Sequence, residues 1–473
     1  MERGVAYREC MDRLTAIATA LGLSVQHERL APIAEIVIQS MTGVWRRFHT
    51  VDHVFMVGGQ LDPVEQLAGL FHDVVYLQVD QRIPLNLAQH ITPFIREIPT
   101  FELGAPERLC IRDAADCRAD PKFLAVRRLF GLDFGDVLSP FAGQNEFLSA
   151  LVAAQVLAPT FPPAAVAQVI ACIEATIPFR LAEPGKPTAS EILHTRLAAL
   201  SVELQFGWSP TDVDDVVRRA VRLANRDVQG FGSDDVAIFL DDTWHLIPET
   251  NHNLLVSPTY TVRDYRTSLQ KMAGFLGSLR PEAVFRRFGG EPDEAKYASW
   301  VAAATRNLAI ARHYLGAKLV SIAFLEALSL RFAPDVALSA LMGELVPDPA
   351  YDIGTLEALL PAYPAAPAPR DSIEAAVRSL LEEGRHADVQ YDIRHSPVAA
   401  VFLRCMGFAR MSALRDSAQT MFQSLAAASD SQGRRSAAER FLKEFDPALT
   451  AAIAAGIADL YERRRVAVLQ NRP

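Results

Sequence analysis

The amino-acid sequence predicts an all-α fold, on three observations. Apolar residues recur at three- and four-residue spacing over most of the 473 residues. Runs that alternate apolar and polar residues, the mark of half-buried strands, are scarce, and no internal repeat is visible. Proline and capping residues stand where the apolar stretches begin.

Residues 5–24 carry Met11, Leu14, Ile17, Ala18 and Leu21 on one helical face and stop at Gly22. Helical patterning continues through 31–58, which contains His49 and His53. Asp62-Pro63 starts the next helix, with proline at a tolerated first-turn position, and the apolar run Leu67 to Phe71 leads to His72-Asp73 at its end. Further helices are predicted over 145–158, from Ala164 to Thr176 behind Pro162-Pro163, over 188–206, and over 211–229 behind Ser209-Pro210. A long uninterrupted pattern over 293–332 holds Trp300, Leu308, Ile310, Tyr314 and Leu319. The proline-rich stretch 361–369 reads as a linker, and Asp371-Ser372 caps a helical region running to the C-terminus.

Half of the residues are hydrophobic, as in a globular protein. A net charge of −9 excludes broad nucleic-acid binding, which needs a basic footprint. Five scattered cysteines, Cys10, Cys110, Cys117, Cys172 and Cys405, fit a reducing cytoplasm better than disulfides or a zinc knuckle. The acidic start lacks the pattern of a signal peptide, and no stretch is expected to span a bilayer, so the expectation is a soluble cytoplasmic protein.

The chemistry concentrates between Arg47 and Tyr76. His49 and His53 lie one helical turn apart and share a face. His72 and Asp73 are adjacent at the end of an apolar helix, where burial penalises ionisable groups unless a partner such as a divalent cation neutralises them. Three blocks follow in order: Arg46/Arg47-Phe48-His49 with His53, Phe71-His72-Asp73 with Tyr76, and Asn145-Glu146-Phe147-Leu148-Ser149-Ala150.

In these blocks the chain resembles the HD-domain superfamily of metal-dependent phosphohydrolases, named for the same His-Asp doublet. The resemblance implies an HD-type helical core over residues 1–280 and fades beyond it. A helical extension would then cover 281–360, a proline-rich linker 361–371, and a C-terminal helical region 372–473. Relatives reach the Asn-Glu block soon after the doublet, so 77–143 reads as an insertion. This insertion, which contains Pro84, Pro93, Pro99 and Pro106 and then an Arg-rich helix from Arg108 to Arg128, would serve as a lid or subunit contact. Branch members end a later helix in aspartate, which makes Asp227 the last expected ligand.

The implied metal set is His53, His72, Asp73 and Asp227. Two nitrogens and two oxygens suit manganese, iron, cobalt, nickel or zinc better than calcium, with magnesium also admitted. Asp73 would both ligate and orient the attacking water, and Glu146 would act as general base or water-orienting group. The alternative for Glu146 is a helix-start charge facing the dipole. His49 is open between ligand, phosphate contact and supporting partner. Arg46 and Arg47 are candidates for a guanidinium fork on phosphate, or else a solvated basic turn. Ser149 and Ala150 read as small packing residues.

The implied reaction is hydrolysis of a phosphate ester of a nucleotide or other small phosphorylated molecule by metal-activated water. No membrane partner is implied, and the helical extension offers a surface for a homo-oligomer. One departure stands out: relatives place a histidine soon after the position of Thr176, where this chain has Ile177, Pro178, Phe179 and Arg180. Two other classes stay open, a degenerate HD-type regulatory or ligand-binding protein and an HD-type di-iron oxygenase. The second needs further histidines, for which His90 and His194 are the candidates. His245 and His252 flank Pro248 in an expected loop. Asn307, Arg312 and His313 could line a second pocket or form a polar helix face.

Overall fold

The computed structural model describes residues 2–60, 62–98, 108–117, 120–255, 260–343, 353–362 and 367–470. The fold is all-α, and the strands named among the described residues form one two-stranded sheet. In chain order, the helices that lead to the doublet are α1 (Arg3–Ala20), α2 (His27–Met41), α3 (Val51–Gly58) and α4 (Pro63–Phe71). Next come α5 (Leu77–Asp80), α6 (Leu85–Ile91), the strands β1 (Ile95–Ile98) and β2 (Arg108–Ile111), α7 (Ala114–Cys117) and α8 (Pro121–Phe130). Then follow α9 (Gln144–Leu157), α10 (Pro163–Ala175), α11 (Ala189–Glu203) and α12 (Pro210–Asp227). The remaining helices are α13 (Val236–Thr250), α14 (Val262–Ser278), α15 (Glu294–Ser329), α16 (Leu338–Met342), α17 (Ser372–Glu382), α18 (Pro397–Ala427), α19 (Ser431–Leu442) and α20 (Pro447–Gln470).

The chain divides into two compact units, Met1–Gly232 with Leu279–Ala304, and Ser233–Ser278 with Thr305–Pro473. These lines differ from the segments drawn on the sequence, where 1–280 was one block. The physical reason lies in side-chain packing. Val284, Phe285 and Ala304 form an apolar cluster with Phe179, Val228, Phe231, Tyr297 and Trp300, which ties 279–304 to the first unit. Trp244 of α13 and Tyr265 of α14 instead bond to Asp392, which draws 233–278 into the second.

In the first unit α10 is the central helix, packed against α4, α8, α9, α11 and α12. Its residues Val166, Ala167, Val169, Ile170, Ala171, Cys172 and Ile173 are all buried, as expected of a helix with neighbours on every side. The segment expected as an insertion is part of this packing. The Arg-rich helix expected from Arg108 to Arg128 resolves instead into β2, α7 and α8, because Asp120 caps a fresh start at Pro121. β1 and β2 pair antiparallel with Ile95 opposite Ile111. α8 packs on α9, α10 and α11 with Phe123, Val126 and Leu129 buried, so it is core and not a lid. Pro99 and Pro106 lie outside the described residues.

Other boundaries move for similar local reasons. The helical pattern of 31–58 breaks into α2 and α3 around the turn that holds Arg46 and His49. The expected C-terminal run splits into α17 to α20 at positive-φ Gly384, the Asp430 cap and Asp446-Pro447. Part of the proline-rich linker, 363–366, is outside the described residues.

Contrary to the expectation that no stretch could span a bilayer, α15 and α18 are long and apolar enough by length and composition. The apolar windows of these helices are 72% and 50% buried inside the protein, and a buried core helix has the same length and composition as a membrane span. α15 also carries buried Asn307 and Lys318, and Gly407 interrupts the helical dihedrals of α18.

Candidate metal centre

Three segments bring four ligand-type side chains together: His53 on α3, His72-Asp73 just beyond α4, and Asp227 at the end of α12. One ligand atom from each lies within 4.8 Å of all the others. His53, His72 and Asp73 are buried and Asp227 is half-buried.

Local sequence explains each placement. Asp62 caps α4, accepting from the amides of Val64 and Glu65, with Pro63 at the first turn. Ser209 and Asp212 form a capping box that starts α12, again with proline at the first turn. The two helices are joined by charge. Glu65 is buried and pairs with Arg222 at 2.6 Å and Arg226 at 2.6 Å. Arg226 also donates from Nε to the carbonyl of Val57 at 2.7 Å, and Arg219 pairs with Asp62 at 2.7 Å. The last turn of α12 is thereby held against α3 and α4, where Asp227 faces the histidines.

The turn carrying Asp73 is held from two sides. Arg46 donates to the Asp73 carbonyl at 2.6 Å and the Val74 carbonyl at 3.3 Å, and pairs with Asp80 at 2.6 Å. From α9, Ser149 Oγ accepts from the Val75 amide at 3.1 Å, and Asn145 accepts from the Leu77 amide at 3.1 Å while donating to Gln78 at 2.6 Å. Two expectations change here. Arg46 is not a phosphate fork, because its guanidinium is committed to these carbonyls and to Asp80. Ser149 does more than allow close packing, since its hydroxyl bonds the backbone after the doublet.

The distances within the cluster suit a cation. His72 Nε2 lies 2.9 Å from Asp73 Oδ2 and 3.4 Å from Asp227 Oδ1. His53 Nε2 lies 3.3 Å from Asp73 Oδ2 and 3.2 Å from Asp227 Oδ1. The two Nε2 atoms are 3.3 Å apart. Donors bonded at roughly 2.1 Å to one ion are separated by about 3.0 Å in octahedral and about 3.4 Å in tetrahedral geometry. His72 Nδ1 lies 2.8 Å from the Gly69 carbonyl, which can only accept, so Nδ1 carries the proton and neutral His72 presents its Nε2 lone pair. Two nitrogens and two carboxylates fit a divalent transition ion.

The same packing shapes the titration of the metal-free cluster. Burial works to lower the pKa of His53 and His72, but hydrogen bonds and charge from Asp227 and Asp73 outweigh it and both are raised. Burial works to raise Asp73 and Asp227, yet the histidines hold Asp73 well below the usual range and bring Asp227 to about 2. Protons and the carboxylates thus neutralise one another where a cation would otherwise do so.

Glu146 and His49 border the cluster. Glu146 stands in the first turn of α9, and burial raises its pKa to about 7; nearby Asp73 and Asp227 add to the rise against its own helix-start amide and Arg180. Buried His49 packs against Tyr76 with ring centroids 4.1 Å apart and planes tilted by 32°, and its ring centroid is 5.8 Å from that of His53. It lies outside the four-residue group. Arg47 is exposed.

His90 and His194 are not brought to the centre. His90 contacts Gln89, and His194 pairs with Asp214 at 3.0 Å beside Phe288. His245 lies within α13, not in a loop, and bonds the Asp241 carbonyl. Buried Asn307 donates to Ser233, whereas Arg312 and His313 line a small cavity with Met411 and Arg415. Sequence reasoning missed Glu65, Asp80, Arg180 and Arg286. A lone glutamate inside an apolar run, facing arginines spaced i, i+4 on α12, was the legible signal for Glu65.

No known protein family, curated protein or solved structure matches the chain.

Proposed function

We propose that the protein is an HD-type metal-dependent phosphohydrolase that cleaves a phosphate ester of a nucleotide or other small phosphorylated molecule. One observation carries this reading: His53, His72, Asp73 and Asp227, distant in sequence, converge with ligand atoms within 4.8 Å of one another. Manganese, iron, cobalt, nickel or zinc fits the donor set, with magnesium also admitted. Held there, the ion would lower the pKa of a bound water and polarise the phosphoryl oxygen.

The chain's own groups supply the remaining steps. Glu146, with its pKa raised to about 7, is matched to taking a proton from the attacking water near neutral pH. Asp73 Oδ2, already 2.9 Å from His72, orients that water while its own backbone carbonyl is fixed by Arg46. His49, buried beside Tyr76, contacts the phosphate at the edge of the centre, and Arg47 does so from the surface. Four of the five cysteines are buried and no disulfide forms among the described residues, which supports a reducing, cytoplasmic setting. The di-iron alternative loses its support, because neither His90 nor His194 joins the cluster among the described residues.

The test is elemental analysis of anaerobically purified protein beside Asp73→Ala, followed by a phosphate-ester screen. One transition metal per chain, lost in the variant, with turnover of an ester supports the hydrolase. Metal retention with ligand binding but no turnover moves the assignment to a regulatory protein. Absence of metal in both proteins after reloading refutes the metalloenzyme.

A further inference from the structure

Arg286 lies in a segment where the sequence offers no functional signal, yet it is built into the same site. Asn225, two residues before Asp227, grips it at both backbone atoms. The Arg286 amide donates to Asn225 Oδ1 at 2.8 Å, and Asn225 Nδ2 donates to the Arg286 carbonyl at 2.9 Å. Val284 and Phe285 anchor the preceding residues in the apolar cluster with Phe179 and Val228. The Arg286 guanidinium donates to the carbonyl of Ile177, just past the end of α10. Ile177 in turn packs on Gly143, the residue before α9, whose first turn carries Glu146. Arg286 therefore sits where the ends of α10 and α12 meet the start of α9.

Arg180 reaches the same place. Phe179 adopts φ 55°, a costly conformation for a large side chain, and turns the chain back so that Arg180 pairs with Glu174 at 2.6 Å. Its buried Nε has no hydrogen-bond partner. Glu174 thus balances one guanidinium. Arg286, half-buried, makes no ion pair among the described residues and gives its five donors one side-chain bond, to a neutral carbonyl. A guanidinium partly withdrawn from water and bonded to no carboxylate is stabilised by an anion that takes its remaining donors.

We infer that Arg286, with Arg180 beside it, is the anion-recognition element of this centre and takes the dianionic terminal phosphate of a phosphomonoester. The inference rests on the metallohydrolase reading and supplies the phosphate fork that Arg46 cannot. Two guanidiniums next to a divalent cation favour the doubly charged monoester over a singly charged diester. The local electrostatics agree: burial and the Arg180 charge bring the pKa of Arg286 down to about 9, with Glu174, Glu146 and Asp227 offsetting part of the fall.

The experiment is calorimetric titration of inorganic phosphate into the full chain, metal-loaded and metal-free, with metal content measured on each sample. Wild type is expected to bind phosphate in both forms, more weakly without metal. Arg286→Gln should weaken the metal-free affinity about 10- to 100-fold at unchanged metal content, the range for losing charge-assisted hydrogen bonds. Arg286→Lys, which keeps the charge but not the fork, and Arg180→Gln should each weaken it to a lesser degree; they decide the matter if Arg286→Gln does not fold. Wild-type phosphate affinity in a folded variant, or no phosphate binding by wild type in either form, overturns the inference. Absence of metal with intact, Arg286-dependent phosphate binding overturns only the metalloenzyme reading.

Discussion

Gly69 faces Gly58 so closely that a β-carbon at position 69 would lie 2.3 Å from Gly58 Cα. This backbone contact sets the approach of α3 to α4, and so the 3.3 Å between His53 and His72 Nε2. Backbone cannot give way as a side-chain tip can. Gly69→Ala should therefore cost about 3 kcal/mol, the upper end for overpacking, and should reduce metal content in whatever protein folds. Thermal melting and elemental analysis read both effects; a wild-type melting temperature would show that the helices can separate without penalty.

Arg46 acts at one remove from the centre. Lysine's compact ammonium lacks the planar fork with which Arg46 spans two carbonyls and Asp80, so Arg46→Lys should lower metal affinity about tenfold, as loss of supporting contacts does in metal sites. Competition with a chelator measures this. A variant whose metal affinity is unchanged but whose substrate KM rises would return Arg46 to the phosphate-binding role.

The metal-free protein should lose stability as pH rises through neutrality. His53 and His72 have folded pKa values above 6.5, so their contribution is full below 6.5 and is lost as pH climbs through the raised values. Glu146 acts in the same direction: its contribution is full below 4.5 and gone above about 7. Asp73 and Asp227 contribute above 3.8 and lose that contribution as pH falls through their depressed values, about 2 for Asp227. A cation replaces the protons, so the rise in melting temperature on adding metal should grow from about pH 5 to about pH 8. Scanning calorimetry at several pH values checks it, and a metal-induced shift independent of pH would count against coordination by these four residues.

In the second unit, Asp392 Oδ2 accepts from Trp244 at 2.7 Å, Tyr265 at 2.7 Å and Lys318 at 2.8 Å, with Arg385 at 3.8 Å. Asp392→Asn would leave Lys318 and Arg385, both buried, without their common counter-charge. A loss of about 3–5 kcal/mol is expected, as for a broken buried ion pair. Urea denaturation measures it; a change near zero would mean that the neighbouring groups rearrange.

The sequence by itself determined the helical class, because the period of the apolar residues is a local property that each helix expresses independently. It also determined where α4, α10 and α12 begin, since Asp62-Pro63, Pro162-Pro163 and Ser209-Pro210 act over a single turn. His72 and Asp73 could be picked out because an ionisable pair at the end of an apolar run is conspicuous, whereas His53 and Asp227 were expected only through the family resemblance. The tertiary structure alone decided that these four converge, that Arg46 supports the Asp73 turn, and that α8 is core. It also decided that Arg286, far along the chain, stands beside Asp227. Such pairings depend on long-range packing: Glu65 on Arg222 and Arg226, Asn225 on Arg286, and glycine on glycine. A single sequence records the identity of each partner but carries no local pattern that says which distant residue it will meet.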